Sequence, residues 1–239
     1  MLTTVLFDLD GTLLPMVQED FVRAYFARLA SFAAPYGYEA KPLVDTLWKG
    51  TAAMVQNDGG KTNREVFWDT FASTFGEPAR AHEAVFEAFY ATDFNLAQEV
   101  CGFDPEAAET VEFLKTNGIR RVLATNPIFP HMATENRIRW AGLEPGDFEL
   151  YTTYENTGYC KPNPAYFADI LEQIGCKADE CLMVGNDAVE DLAAQKVGIP
   201  VFLLTPCLIN PKERDLGDTP HGDFAELKKE LTRRISFKK

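Results

Sequence analysis

Four short apolar runs punctuate the chain, and each stops at a polar or small residue. They are Val5-Leu6-Phe7 before Asp8, Arg121-Val122-Leu123-Ala124 before Thr125, Cys181-Leu182-Met183-Val184 before Gly185, and Pro200-Val201-Phe202-Leu203-Leu204 before Thr205. Runs this short, without polar alternation, predict strands buried on both faces. Between them the apolar spacing changes to three and four. Ala107, Val111 and Leu114 share one helix face, which Asn117-Gly118 ends. Phe167, Ile170, Leu171 and Ile174 share another, with Pro164 at the first helical position. A further short helix is expected over 188–196, after Asp187. Buried strands alternating with helices predict an α/β fold, a parallel sheet covered on both faces.

Residues 16–100 have a different pattern. Phe21, Tyr25 and Leu29 are spaced by four, as are Phe67, Phe71 and Phe75, and more than half of the chain's aromatic residues fall in this stretch. Such spacing predicts helices whose aromatics form an apolar inner face. The polar loop Gln56-Asn57-Asp58-Gly59-Gly60 interrupts them. The expected organisation is therefore a core of 1–15 and 101–239 carrying an inserted helical subdomain of 16–100. Gly60-Lys61-Thr62 imitates the end of a phosphate-binding loop, but Val55 stands where the earlier glycine is needed and no strand precedes it. Arg233-Arg234 and Lys238-Lys239 read as a solvated helix end and tail.

Charge narrows the possible partners. The formal net charge is −13, which disfavours nucleic acid and anionic membrane as partners. A local positive pocket for an anionic small molecule is still compatible with it. The five cysteines are irregularly spaced, with no C-x-x-C pair, and the three histidines stand apart. Free thiols in a reducing cytoplasm are expected, and neither a disulfide framework nor a zinc site. No run has the length of a membrane span, and no signal peptide is evident. Oligomeric state is not legible.

The chemistry gathers at the strand ends, where ligands bind in open parallel sheets. The first strand delivers Asp8 and Asp10, in Asp8-Leu9-Asp10-Gly11-Thr12. Acids at the end of a buried strand are costly unless paired or bound to a metal. The second strand delivers Thr125 and Asn126. Lys161 follows in Gly158-Tyr159-Cys160-Lys161-Pro162, before a helix. The last strand delivers Gly185-Asn186-Asp187, with Asp191 four residues on. Hard oxygen donors of this kind suit Mg²⁺. A phosphate would sit between that ion, Lys161, Thr125 and backbone N–H groups.

The four motifs, in this order, resemble those of the haloacid dehalogenase superfamily, in its phosphatase-like form with a helical cap inserted after the first motif. The resemblance spans the core at both ends of the chain. It implies a Rossmann-like, doubly wound core and a Mg²⁺-dependent phosphatase acting on a small phosphorylated metabolite. Asp8 is then the nucleophile that forms an aspartyl-phosphate. Asp10 is the general acid/base and binds the metal through its backbone carbonyl. Thr125 and Asn126 meet the phosphoryl group, Lys161 neutralises charge, and Asp187 binds Mg²⁺. The sequence departs from the family at Asn186, where an acid commonly follows the glycine. The role of Asp191 stays open between direct ligand, water-mediated ligand and partner of Lys161.

A sugar-phosphate mutase with the same core is the near alternative, and a non-catalytic phospho-acceptor the distant one. Dehalogenation and phosphonate cleavage fit less well, because related enzymes with those activities typically lack an acid at the Asp10 position. Selectivity is assigned to the cap. Within it, the 56–64 stretch is the candidate loop facing the core, with Lys61 and Arg64 offered to an anionic or hydroxyl-rich substrate. The cap itself, 16–100, holds 7 basic and 12 acidic residues, net −5, and so does not advertise a polyanion site.

Overall fold

The computed structural model describes residues 1–211 and 213–236; Lys238-Lys239 lie outside the described residues. Six parallel strands form one sheet: β1 (Thr4–Phe7), β2 (Arg120–Leu123), β3 (Leu150–Tyr151), β4 (Cys181–Gly185), β5 (Val201–Leu204) and β6 (His221–Gly222). Their order is β3-β2-β1-β4-β5-β6. This is the doubly wound arrangement, in which the winding reverses between β1 and β4 and opens a crevice at their carboxyl ends. Four strands were expected from the apolar runs. The two that were not, β3 and β6, are two-residue edge strands too short to produce a run.

All four residues of β1 are buried, and its side chains divide between the sheet's two faces. Val5 and Phe7 join a core with α5 (Pro105–Thr116) and α8 (Phe224–Ser236) through Ala107, Val111, Leu114 and Leu227. Leu6 joins a second core with α7 (Pro164–Ile174) through Phe167 and Ile170. Removal of this apolar surface from water, at about 25 cal/mol per Å², is what holds the helices on the sheet. The helix expected over 188–196 forms only as a 3₁₀ turn, Leu192–Val197. The reason is local. Asp187 accepts the N–H groups of Val189 (2.6 Å) and Glu190 (2.9 Å), and Asp191 accepts those of Asn186 and Asp187 (both 2.9 Å). These side chains compete with a regular helical ladder for the backbone.

The chain leaves the core at Pro15-Met16 and returns at Cys101-Gly102. There Met16 and Cys101 form an antiparallel bridge and Gly102 N–H donates to Pro15 O at 2.7 Å. Between these points run α1 (Gln18–Ala33), α2 (Ala40–Val55), α3 (Asn63–Phe75) and α4 (Glu83–Ala91), with short 3₁₀ turns. Phe71 is fully buried among the rings of Tyr38, Trp68, Phe75 and Phe86, at centroid distances of 4.9–5.7 Å. Thr62, which imitated the end of a phosphate loop, instead starts α3. Its hydroxyl accepts from Glu65 N–H, and Glu65 accepts from Thr62 N–H, a reciprocal cap.

Candidate active site

The first motif is placed by the register of the sheet. Phe7 pairs with Leu123 on one side and Val184 on the other, so Asp8 emerges between the ends of β2 and β4, at the reversal point. The next turn depends on a glycine. Gly11 has φ +84°, and a Cβ there would lie 2.2 Å from Asn186 Nδ2. Gly185 is equally constrained, since a Cβ would lie 2.0 Å from Asp191 Oδ2. Gly11 lets the first motif close on the last, and Gly185 lets Asp191 fold back onto the end of β4.

Asp8 is buried. Its Oδ1 accepts from Lys161 Nζ at 2.9 Å and its Oδ2 from the Thr12 hydroxyl at 3.2 Å. Lys161, also buried, donates at 2.7 Å to Asp191 Oδ1. The other Asp191 oxygen is filled by the two backbone N–H groups already named. Asp191 is thus the partner of Lys161 and the staple of the last motif. Burial would lower the Lys161 pKa, but Asp191 and Asp8 outweigh it and carry it well above its usual value.

Asp10 pairs with the guanidinium of Arg137 through Oδ2, while its buried Oδ1 has no hydrogen-bond partner among the described residues. Arg137 is fully buried on α6 (His131–Trp140). Its Nε donates to Ala133 O at 3.2 Å, and its guanidinium lies 4.4 Å from the Phe129 ring centre. Sequence reading missed this residue. The available signal was its place on the stripe of Ala133, Thr134 and Ile138, the buried face of α6; a charge there requires a partner. Arg139, two positions on, is exposed and pairs with Glu135 instead.

Glu190 was missed too. It accepts from Asn126 Nδ2 at 3.0 Å, and Asn126 Oδ1 accepts the Lys161 N–H at 3.2 Å. Asn126 therefore bridges three motifs, with its oxygen already engaged. Thr125 is buried at the same wall, its carbonyl held by Thr152 and Tyr166 at 2.7 and 2.8 Å. Burial pushes the Asp8 pKa up to about 7 and that of Glu190 up to about 8, with Lys161 opposing both shifts.

Five carboxylates, Asp8, Asp10, Asp187, Glu190 and Asp191, line this end of one cavity, against two cations, Lys161 and Arg137. The excess of negative charge and the all-oxygen donor set fit a hard divalent cation. Among the described residues no three acid, histidine or cysteine side chains converge as ligands. The expected set needs only two side chains, Asp8 and Asp187, with the Asp10 carbonyl as the third donor.

The cavity, about 180 Å³, runs from these acids into the cap. Lys61 and Arg64 do not line it, which corrects the role expected of them. Lys61 pairs with Asp69 at 2.7 Å, and Arg64 grips Glu83 with two bonds of 2.7 Å. Their loop does meet the core. Asn63 donates to Pro127 O at 3.1 Å, and Arg64 N–H to Tyr154 O at 2.7 Å. These contacts are made by the backbone and Asn63, while Lys61 is held by the partly exposed Asp69 and Arg64 by Glu83, an acid of the cavity wall. The cap aromatics also divide. Phe21, Tyr25 and Phe67 line the cavity, whereas Leu29 and Phe71 fill the cap interior, so the single inner face expected is in fact two.

The sheet order, the reversal-point acids and the buried lysine define a hydrolase site on a doubly wound core. Residues 2–198 match the family of haloacid dehalogenase-like hydrolases, and the chain belongs to that family. It is 27% identical to phosphoglycolate phosphatase 1 of Pseudomonas aeruginosa, over 84% of this chain and 68% of that protein. It is also 27% identical to ribulose-1,5-bisphosphate 5-phosphatase of Halopiger xanaduensis, over 86% of each. In fold it is similar to the crystal structure of 2-haloacid dehalogenase from Pseudomonas syringae, with a TM-score of 0.62 and 22% identity over 98% of this chain and 100% of that one. The chain is an enzyme of the phosphatase kind. No helix among its described residues is long and apolar enough to cross a membrane.

Proposed function

We propose that the protein is a Mg²⁺-dependent phosphatase that hydrolyses a small phosphorylated metabolite through an aspartyl-phosphate on Asp8. The observation that carries this reading is the Asp8 carboxylate, fixed by Lys161 and Thr12 at the end of β1, with Asp10 beside it in the same cavity. An Asp8 oxygen attacks phosphorus as the P–O bond to the alcohol breaks. Asp10 gives the leaving oxygen its proton, then takes one from the water that cleaves the acyl-phosphate, releasing phosphate and free Asp8. Arg137 orients Asp10 through Oδ2 and leaves Oδ1 for that proton. Lys161 and the Thr125 hydroxyl offset charge on the phosphoryl oxygens, where fixed donors act most strongly. Mg²⁺, held by Asp8, Asp187 and the Asp10 carbonyl, would supply the charge that lets two anions approach.

The relatives that are phosphatases of phosphoglycolate and of ribulose bisphosphate support a small phosphoester as the substrate class. The five free cysteines support a reducing, cytoplasmic setting. The test is phosphate release from a panel of phosphorylated metabolites with Mg²⁺. Release should occur for at least one compound and stop in excess EDTA; release that persists without metal would contradict the metal assignment.

A further inference from the structure

The cap contributes eight rings to the cavity wall, among them those of Phe26, Trp48, Phe67, Trp68, Phe86 and Tyr90. They are set against one another: Phe26 lies 5.3 Å from Trp48, Phe67 5.5 Å from Trp68, and Trp68 5.8 Å from Phe86. The Tyr90 hydroxyl is already bonded to that of Tyr25 at 2.8 Å, so it offers little polarity to a ligand. No lysine, arginine or histidine lines the cavity among the described residues. The only charged cap side chains in the lining are acids, Glu83 and Glu87. The cap cation bonded to this wall, Arg64, is spent on Glu83.

Resting on the phosphatase reading, we infer that the leaving group is an apolar, aromatic alcohol with no second negative charge, so that the substrate is the phosphate monoester of an arylalkyl alcohol. A carboxylate or second phosphate placed here would lose water and meet rings and glutamates in exchange, a costly burial of unpaired charge. An aromatic group gains area burial and edge-to-face contact with the same rings. The chemistry at phosphorus is unchanged: the P–O bond to the alcohol breaks and the alcohol leaves with the Asp10 proton. The inference separates this chain from relatives whose substrate carries a second anion beside the phosphate.

The experiment compares kcat/KM of the wild-type enzyme with Mg²⁺ for methyl phosphate, 2-phenylethyl phosphate and phosphoglycolate. It repeats the comparison with Trp48→Arg, a half-exposed ring position (51%) where a cation can be added without opening the core. The wild type should favour 2-phenylethyl phosphate over both others by about tenfold or more, within the range a hydrophobic pocket supplies. Trp48→Arg should reduce its preference over phosphoglycolate by about tenfold. Phosphoglycolate hydrolysed as well as or better than 2-phenylethyl phosphate by the wild type would overturn the inference and leave the phosphatase reading standing. Absence of phosphate release from all three, and from acetyl phosphate, by folded protein would sink the phosphatase reading and this inference with it.

Discussion

At the sheet end of the cavity most charged groups are held by opposite charges; at the cap end rings face rings and, among the described residues, no cation lines the wall. Lys161 sits between Asp8 and Asp191, and Arg137 under Asp10. Trp48 and Phe67, across the cavity, have neighbours but no such partners. Under the proposed function, the difference reflects what each wall must do. Charge displaced during phosphoryl transfer needs donors fixed in advance, because reorganising them would cost part of the rate. Discrimination between alcohols needs only shape and polarity, which tolerate looser geometry. One wall is therefore sensitive to single atoms and the other to the character of a surface.

The contrast breaks most severely at Asp8. Asp8→Asn keeps the shape and removes the proposed nucleophile, so turnover should fall by about 10³-fold or more with the circular dichroism spectrum unchanged. Near wild-type activity in that variant would remove the covalent mechanism. Next comes the buried cation. Lys161→Met leaves Asp8 and Asp191 without the cation between them, a loss of about 3–5 kcal/mol by urea unfolding. Should that variant not fold, the double change Lys161→Met with Asp191→Asn should recover folding without recovering activity.

Acidity sharpens the picture at intermediate size. The folded pKa values of Asp8 and Glu190 lie near 7 and 8, above the ordinary 3.8 and 4.5, chiefly through burial. A raised acid binds more protons folded than unfolded between its two values, so its contribution to stability is lost as pH climbs through that window. Metal-free protein should melt at a lower temperature at about pH 8 than at about pH 5.5. Mg²⁺ should recover part of the difference at the higher pH by holding the carboxylates ionised. A melting temperature that rises across this window would show that the acids are compensated by other means. The smallest effect belongs to the cap surface. Lys61→Ala removes an exposed pairing with Asp69, so KM for any substrate should change by less than about twofold. A tenfold rise would return the loop cation to the substrate pocket.

Much of the core was legible because its information is local. A buried strand ending in two acids, a glycine turn and a hydroxyl is a sequence-adjacent pattern, and strand ends in a parallel sheet converge by topology alone. On that basis Asp8, Asp10, Thr125, Lys161 and Asp187 could be expected in one place, and the structure brings them together. Asn126 could be named as well, but its task as a bridge between Lys161 and Glu190 could not. The short edge strands β3 and β6 lack an apolar run and left no trace. The turn after Asp187 was read as helix because side-chain competition for the backbone depends on where Asp191 points.

The sequence by itself determined the fold class, the inserted helices and the acids at the strand ends, since each follows from periodicity or from residues close in the chain. Only the tertiary structure decided which charges meet and which face of each helix opens to the cavity. Arg137 and Asp10 are separated by 127 positions and Lys161 and Asp191 by 30, and pairing at such range is set by packing of whole elements. In the same way Lys61 and Arg64 were cations without an address until α3 and α4 placed Asp69 and Glu83 beside them. The cap aromatics share one spacing, yet a helix in a bundle can present one part of its apolar stripe to its neighbours and another to a cavity. Periodicity reports the stripe, and only the packing around it separates core from pocket.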